Sequence, residues 1–239
     1  MLPSFVNSNI VKILTPLDWP SSVLEWAAMA KQPKTGRQKA VSDLKRGLIL
    51  DAARKVFEAD GLDGASLRAI AAAAGYTPAA LYFHFESKEA IYAEVLRGSL
   101  VNLEEAVGRA IRRAKTPADR LRAAAMAFFR YYSDNPRDLD LGFYLFRGGM
   151  KPHGLGKQRD EVLNTALEQA LRPIADAAQA LGARQEDAKL LMVDTFAHAS
   201  GLLLLAHTGR MRVFGASAQG LMERFVEDAV AGLTRKRKT

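Results

Sequence analysis

Residues 66–88 constrain this chain more than any other stretch, because nearly every position in them prescribes a local backbone event. Ser66 offers a hydroxyl to cap a helix, after which Leu67, Ile70, Ala71 and Ala74 recur on one face at helical spacing. Gly75 ends that helix, since a residue without Cβ takes up the left-handed cap conformation at little cost. Thr77 and Pro78 restart the chain as N-cap and first helical residue, where proline's missing N–H costs nothing. Leu81 and Phe85 turn inward one turn apart, and Ser87 caps a further helix with Glu89 in its first turn. Two short helices around a glycine turn make a helix-turn-helix, which lays its second helix in the major groove of DNA.

Elsewhere no run alternates long enough for a strand, so the fold class expected is all-α. Periodicity and breakers predict nine helices: the two above and others over 43–59, 88–114, 118–133, 137–146, 158–181, 185–207 and 216–233. Pro173 lies inside one of them and predicts a kink or a break. Glycines at 148, 149, 154 and 156 predict a mobile loop. The last two helices are apolar on more than one face and must be covered on both sides, by their own domain or by a second subunit. In the last helix Leu221, Phe225, Ala229 and Leu233 form one stripe beside Met222, Val226 and Val230.

The stretch from Ile49 to Leu96 resembles the DNA-binding domain of the TetR family of bacterial transcriptional regulators. The resemblance rests on an ordered set of residues. Ala52, Ala53, Phe57 and Gly61 come first, then Ile70, Ala71, Ala74, Gly75, Leu81, Tyr82, Phe85, Lys88 and Glu89. It implies a three-helix DNA-binding domain followed by a larger helical ligand-binding and dimerisation domain. The boundaries expected are 1–42 for a disordered extension with a basic arm, 43–99 for DNA binding, 100–234 for effector binding and dimerisation, and 235–239 for a basic tail.

Within that frame Tyr82, His84, Lys88 and Thr77 are the expected phosphate donors, Thr77 while also capping its helix. Pro78, Ala79 and Ala80 offer only apolar groups, suited to a thymine methyl. Arg68 fits a bidentate guanine contact or a plain solvent-exposed arginine. Aromatic side chains crowd residues 126–150, and such residues enclose a pocket or simply build a core. Under the resemblance, Phe128, Tyr132, Phe143 and Phe146 line an effector pocket, with Arg147, Asp194, Thr195 and His198 orienting a polar group. Asp194 and His198 stand one turn apart, compatible with a buried Asp–His hydrogen bond or, less simply, with half of a metal site. Dimer contacts are expected from Leu202, Leu205, Leu221, Phe225 and Ala229, so that a two-fold pair of heads reads a palindrome.

Charge agrees with a polyanionic partner. The chain carries a net charge of +8, and Lys31, Lys34, Arg37, Lys39, Lys45 and Arg46 precede the helix-turn-helix against one acid, Asp43. The basic tail at Arg235–Lys238 fits a solubilising role. The absence of cysteine excludes a disulfide framework and suits a reducing cytoplasm. No nucleophile–base pairing, phosphate loop or metal motif stands out, so the chain is not expected to be an enzyme or to need a cofactor. The most apolar run, residues 201–206, is far shorter than the ~20 residues that cross a bilayer. Three prolines and no basic leader argue against a signal peptide in residues 1–28, and Met29, followed by a basic arm, is the expected true start. The partners expected are an operator duplex, a small apolar or aromatic effector and a second copy of the chain, with repression the leading mode. Activation, ligand-independent DNA binding and, remotely, a helical enzyme are the alternatives.

Overall fold

The computed structural model describes residues 36–143 and 154–236. Among them every long element is a helix: α1 (Gly36–Gly64), α2 (Leu67–Ala74), α3 (Pro78–Tyr82), α4 (Lys88–Ile111), α5 (Pro117–Asp134), α6 (Pro136–Gly142), α7 (Lys157–Ala180), α8 (Gln185–His207) and α9 (Ala218–Lys236). A short 3-10 turn, Arg210–Phe214, links the last two. The start at Met29, Lys31, Lys34, the glycines at 148 and 149, Phe146, Arg147 and the end of the basic tail lie outside the described residues.

By its packing the chain divides into two units, Met1–Lys45 and Arg46–Thr239. In the first, α1 begins at Gly36 rather than Asp43, so the last part of the expected basic arm is helical, with Arg37, Lys39 and Lys45 exposed. No strong breaker stands between Gly36 and Asp43, and a helix once nucleated extends at little cost per residue.

In the second unit the first layer follows the sequence closely. Ile49, Ala53 and Phe57 repeat every fourth residue on α1 and are fully buried. Gly61 breaks helical geometry there, with φ 68° and ψ −179°, and turns the chain toward α2. Ser66 Oγ accepts from Ala69 N–H at 3.1 Å and Thr77 Oγ1 from Ala80 N–H at 3.3 Å. Gly75 sits at φ 72° in the left-handed cap. Ser87 Oγ accepts from Ala90 N–H at 3.2 Å and starts α4. Ile70, Ala71, Leu81 and Phe85 close this core over Phe57, whose ring meets Tyr92 of α4 edge-on at 4.8 Å.

Beyond it α4 packs on α5 and α7, α7 on α5 and α8, and α9 on α5 and α8. Of the two lines on α9, Met222, Val226 and Val230 are buried, and Leu221, Phe225 and Leu233 are only half-covered. Helix α7 runs unbroken through Pro173. The proline removes one backbone hydrogen bond, and burial of Leu171, Ile174, Ala177 and Ala178 around it outweighs that loss.

Helix α6 is a short bridge. Buried Asp138 accepts from Arg54 of α1 on one carboxylate oxygen and from Tyr131 of α5 on the other. The Tyr131 hydroxyl shares its proton with the Ser99 carbonyl at 3.1 Å. Tyr92 donates to the Leu141 carbonyl at 2.9 Å, so α4 also holds this helix. Burial, then the hydrogen bond to Asp138, pushes the Tyr131 phenol up to about 12. Burial raises Tyr132 as well. An unfolded chain releases these protons near pH ~10, whereas the fold keeps them protonated. Stability is therefore expected to be complete below pH ~10 and to fall as pH rises toward about 12. Urea midpoints between pH 9 and 11.5 will show the decline, and Tyr131→Phe will flatten it; an unchanged slope in that variant contradicts the assignment.

Candidate functional site

The helix-turn-helix presents a compact polar and apolar face. Thr77, Pro78 and Ala79 are exposed, Ala80 is half-buried and Tyr82 is 60% exposed. Thr77 uses its oxygen to cap α3, which leaves its hydroxyl proton to donate outward. Arg68 is exposed on the second residue of α2. His84 is half-buried at the exit of α3. Lys88 lies at the N-terminus of α4 with Nζ donating to the Ala65 carbonyl at 3.1 Å. That bond uses one of three ammonium donors and stations the charge between the starts of α2 and α4. The expected DNA residues thus gather around α3, except that Arg68 stands on the neighbouring helix.

Arg46 differs from its reading as part of a DNA-contacting run. Its guanidinium lies 4.2 Å over the Phe85 ring, donates to the His84 carbonyl at 2.7 Å and pairs with Glu94 at 2.6 Å. It clamps α1 to the α3–α4 turn. The pairing spans 48 residues to Glu94, which no local pattern reveals.

A second feature is an apolar cavity of about 250 Å³ between α4, α5, α6, α7 and α8. Phe128, Tyr132 and Phe143 line it, joined by Leu96, Leu100, Leu163 and Phe196. Asn164 and Ser200 add polar groups to the lining beside Tyr132, and both were missed because each looks like an ordinary helix-surface residue. Tyr132 stays a neutral phenol, since burial pushes its pKa up. The other expected polar residues do not reach the cavity. Asp194 is exposed, Thr195 donates to its own helix at the Leu191 carbonyl, and His198 stacks on Phe225 at 4.3 Å with its Nε2 buried and unpartnered. The expected Asp194–His198 hydrogen bond is not formed: one side chain points to solvent and the other packs under α9. Phe146 and Arg147 lie outside the described residues.

Helix α8 supplies a third surface. Leu202 is only 7% exposed and faces its own core, so it cannot serve as a dimer contact. The opposite face shows Leu190, Val193 and Leu204, which are 61%, 48% and 52% exposed. Leu205, Leu221, Phe225 and Ala229 are half-buried between these two faces. The helix as a whole is long and apolar enough to cross a bilayer, which corrects the reading based on residues 201–206 alone. It packs against α5, α7 and α9 as a core helix does.

Comparison with known proteins bears on these surfaces. The family described as "Bacterial regulatory proteins, tetR family" matches residues 49–95, the helix-turn-helix and the helices that brace it. The transcriptional activator FasR of Mycolicibacterium smegmatis is 35% identical over 116 residues, covering 47% of this chain and 53% of that protein. The transcriptional repressor NicS of Pseudomonas putida is 28% identical over 155 residues, 64% of this chain and 72% of its own length. The chain therefore spans about half of FasR and more of NicS. Among solved structures, FadR from Bacillus subtilis in complex with stearoyl-CoA superposes with a TM-score of 0.60 at 17% identity, over 77% of this chain and 97% of that one. A TetR-like regulator from Rhodococcus sp. RHA1 gives 0.59 at 19% identity, over 84% and 100%. At those identities the likeness is one of fold, and it extends well past the DNA-binding helices. With the helix-turn-helix in place and the family match seated on it, residues 49–95 are similar to the DNA-binding domain of the bacterial tetR-family regulatory proteins.

Proposed function

We propose that the protein is a ligand-responsive transcriptional regulator that binds a palindromic operator as a homodimer, works in the cytoplasm and acts mainly as a repressor. One observation carries the reading: α2 and α3 meet at the left-handed Gly75 with Thr77, Tyr82 and Arg68 outward and Lys88 at the next helix start. That array suits phosphates along two sides of a major groove and one base contact between them. Residues 43–99 form the DNA-binding part and residues 100–234 the effector and dimerisation part. Dimer contacts come from the exposed α8 face of Leu190, Val193 and Leu204, bordered by Leu205, Leu221, Phe225 and Ala229. NicS is named a repressor and FasR an activator, so promoter geometry decides the sign.

The effector occupies the cavity beside Phe128, Tyr132 and Phe143, with Asn164 and Ser200 holding its one polar end. Because no charged side chain among the described residues lines the cavity, the buried part of the effector is neutral and apolar. The stearoyl-CoA bound to the Bacillus FadR has such a part in its acyl chain. Occupancy favours one dimer geometry over another and so changes operator affinity. Footprinting on upstream DNA, followed by a screen for apolar compounds that release the complex, tests the whole reading; a protein with equal affinity for operator and random DNA contradicts it. Arg68→Ala is expected to lower the preference of operator over scrambled DNA by about fivefold or more, as loss of a bidentate base contact does. If titrations give the same ratio for both proteins, Arg68 is a solvent-exposed helix arginine.

A further inference from the structure

We propose that Phe83 is a specificity-determining residue whose ring reads a thymine methyl group in the operator; this rests on the operator-binding reading above. Its backbone is helical, with φ −70° and ψ −20°. Phe85 N–H donates to the Leu81 carbonyl at 2.9 Å, so the register of α3 continues through the aromatic run. Leu81 and Phe85 are buried and define the inward side. At about 100° per residue Phe83 falls opposite them, one turn beyond Ala79. Its ring is 88% exposed.

A single exposed apolar side chain is ordinary on a protein surface. This one stands at the centre of the outward face of the helix that enters the groove. Its neighbours Pro78, Ala79 and Ala80 present no hydrogen-bond donor to a base edge. Thymine is the base that shows an apolar group in the major groove, and a phenyl ring reaches further toward it than an alanine methyl does. Tyr82 next to it has the hydroxyl that a phosphate contact needs; Phe83 lacks one, so the two aromatics divide between backbone and base. Phe83 also borders the cleft between α3 and α7 with Arg97 and Arg159. A ring that served only that cleft would be indifferent to a methyl on DNA.

The test uses full-length protein and an operator selected from randomised duplexes by the wild type. Each thymine in a half-site is replaced in turn by uracil, which removes the methyl and leaves every hydrogen-bonding group in place. At one thymine per half-site the wild type is expected to lose affinity by about fivefold or more, the lower range for a wrong base pair. Phe83→Ala is expected to bind the thymine and uracil versions alike, and Phe83→Leu to keep part of the difference. Because the side chain is exposed, melting temperatures of both variants should match the wild type. The proposal is overturned if Phe83→Ala keeps the full thymine preference, or if no single uracil matters to the wild type although an operator is selected. Failure of the wild type to select any operator overturns the regulator reading itself.

Discussion

Asp138→Ala is expected to destabilise the protein by about 2–3 kcal/mol, below the ~3–5 kcal/mol typical when one partner of a fully buried ion pair is removed. Arg54 is what keeps it below that range. Its side chain is 30% exposed, so its guanidinium regains water when the carboxylate goes, and Glu58 already stands 4.0 Å from it. Tyr131 retains the Ser99 carbonyl at 3.1 Å. For a chain of this size that loss corresponds to a drop in Tm of about 4–12 °C. Arg54→Ala and the double variant complete a cycle, and the coupling between the two positions should exceed about 1 kcal/mol. Additive effects would mean that the pair is a geometric coincidence. Because α6 also supplies Leu139 and Gly142 to the cavity, the same variant should change how strongly a bound effector weakens operator binding. A titration of operator with and without effector reads that coupling directly.

Lys88→Ala is expected to weaken binding about tenfold on operator and random DNA alike, and to reduce the slope of log affinity against log salt by about 0.9, the contribution of one phosphate contact. The ammonium sits at the N-terminus of α4, where Ser87 caps the helix and the dipole adds its own positive field. The bond from Nζ to the Ala65 carbonyl gives Lys88 a second, structural duty. The salt slope separates the two: a residue that only braced the loop would lower affinity and leave the slope intact. Lys88→Arg should restore most of the binding, since it keeps the charge.

The residues that were legible in advance share one property, which is that their partners lie within about four positions along the chain. Ser66, Thr77 and Ser87 cap their own helices, Gly75 takes its own left-handed turn, and each was readable from residue type and spacing. The aromatic cavity was legible in part. Phe128, Tyr132 and Phe143 do converge, yet Asn164 and Ser200 come from α7 and α8, and nothing in their neighbourhood marks them. Arg46 looked like a free cation in a basic run because its three partners, Phe85, His84 and Glu94, are far away in sequence.

Helix α8 draws the line most clearly. Leucines occupy residues 202–205 in succession, and a run that is apolar all round has no preferred face in its own sequence. Leu202 went to the core and Leu204 to the surface only because α5, α7 and α9 cover one side of that helix. By itself, then, the sequence determined the capped helix starts at Ser66, Thr77 and Ser87 and that two of those helices form a helix-turn-helix, since caps, glycines and periodicity act locally. The tertiary structure alone decided which apolar face stays open, which arginine is a clamp, and that Asp138 of α6 ties Arg54 of α1 to Tyr131 of α5. Burial and long-range pairing are properties of neighbours that the chain brings together only when it folds.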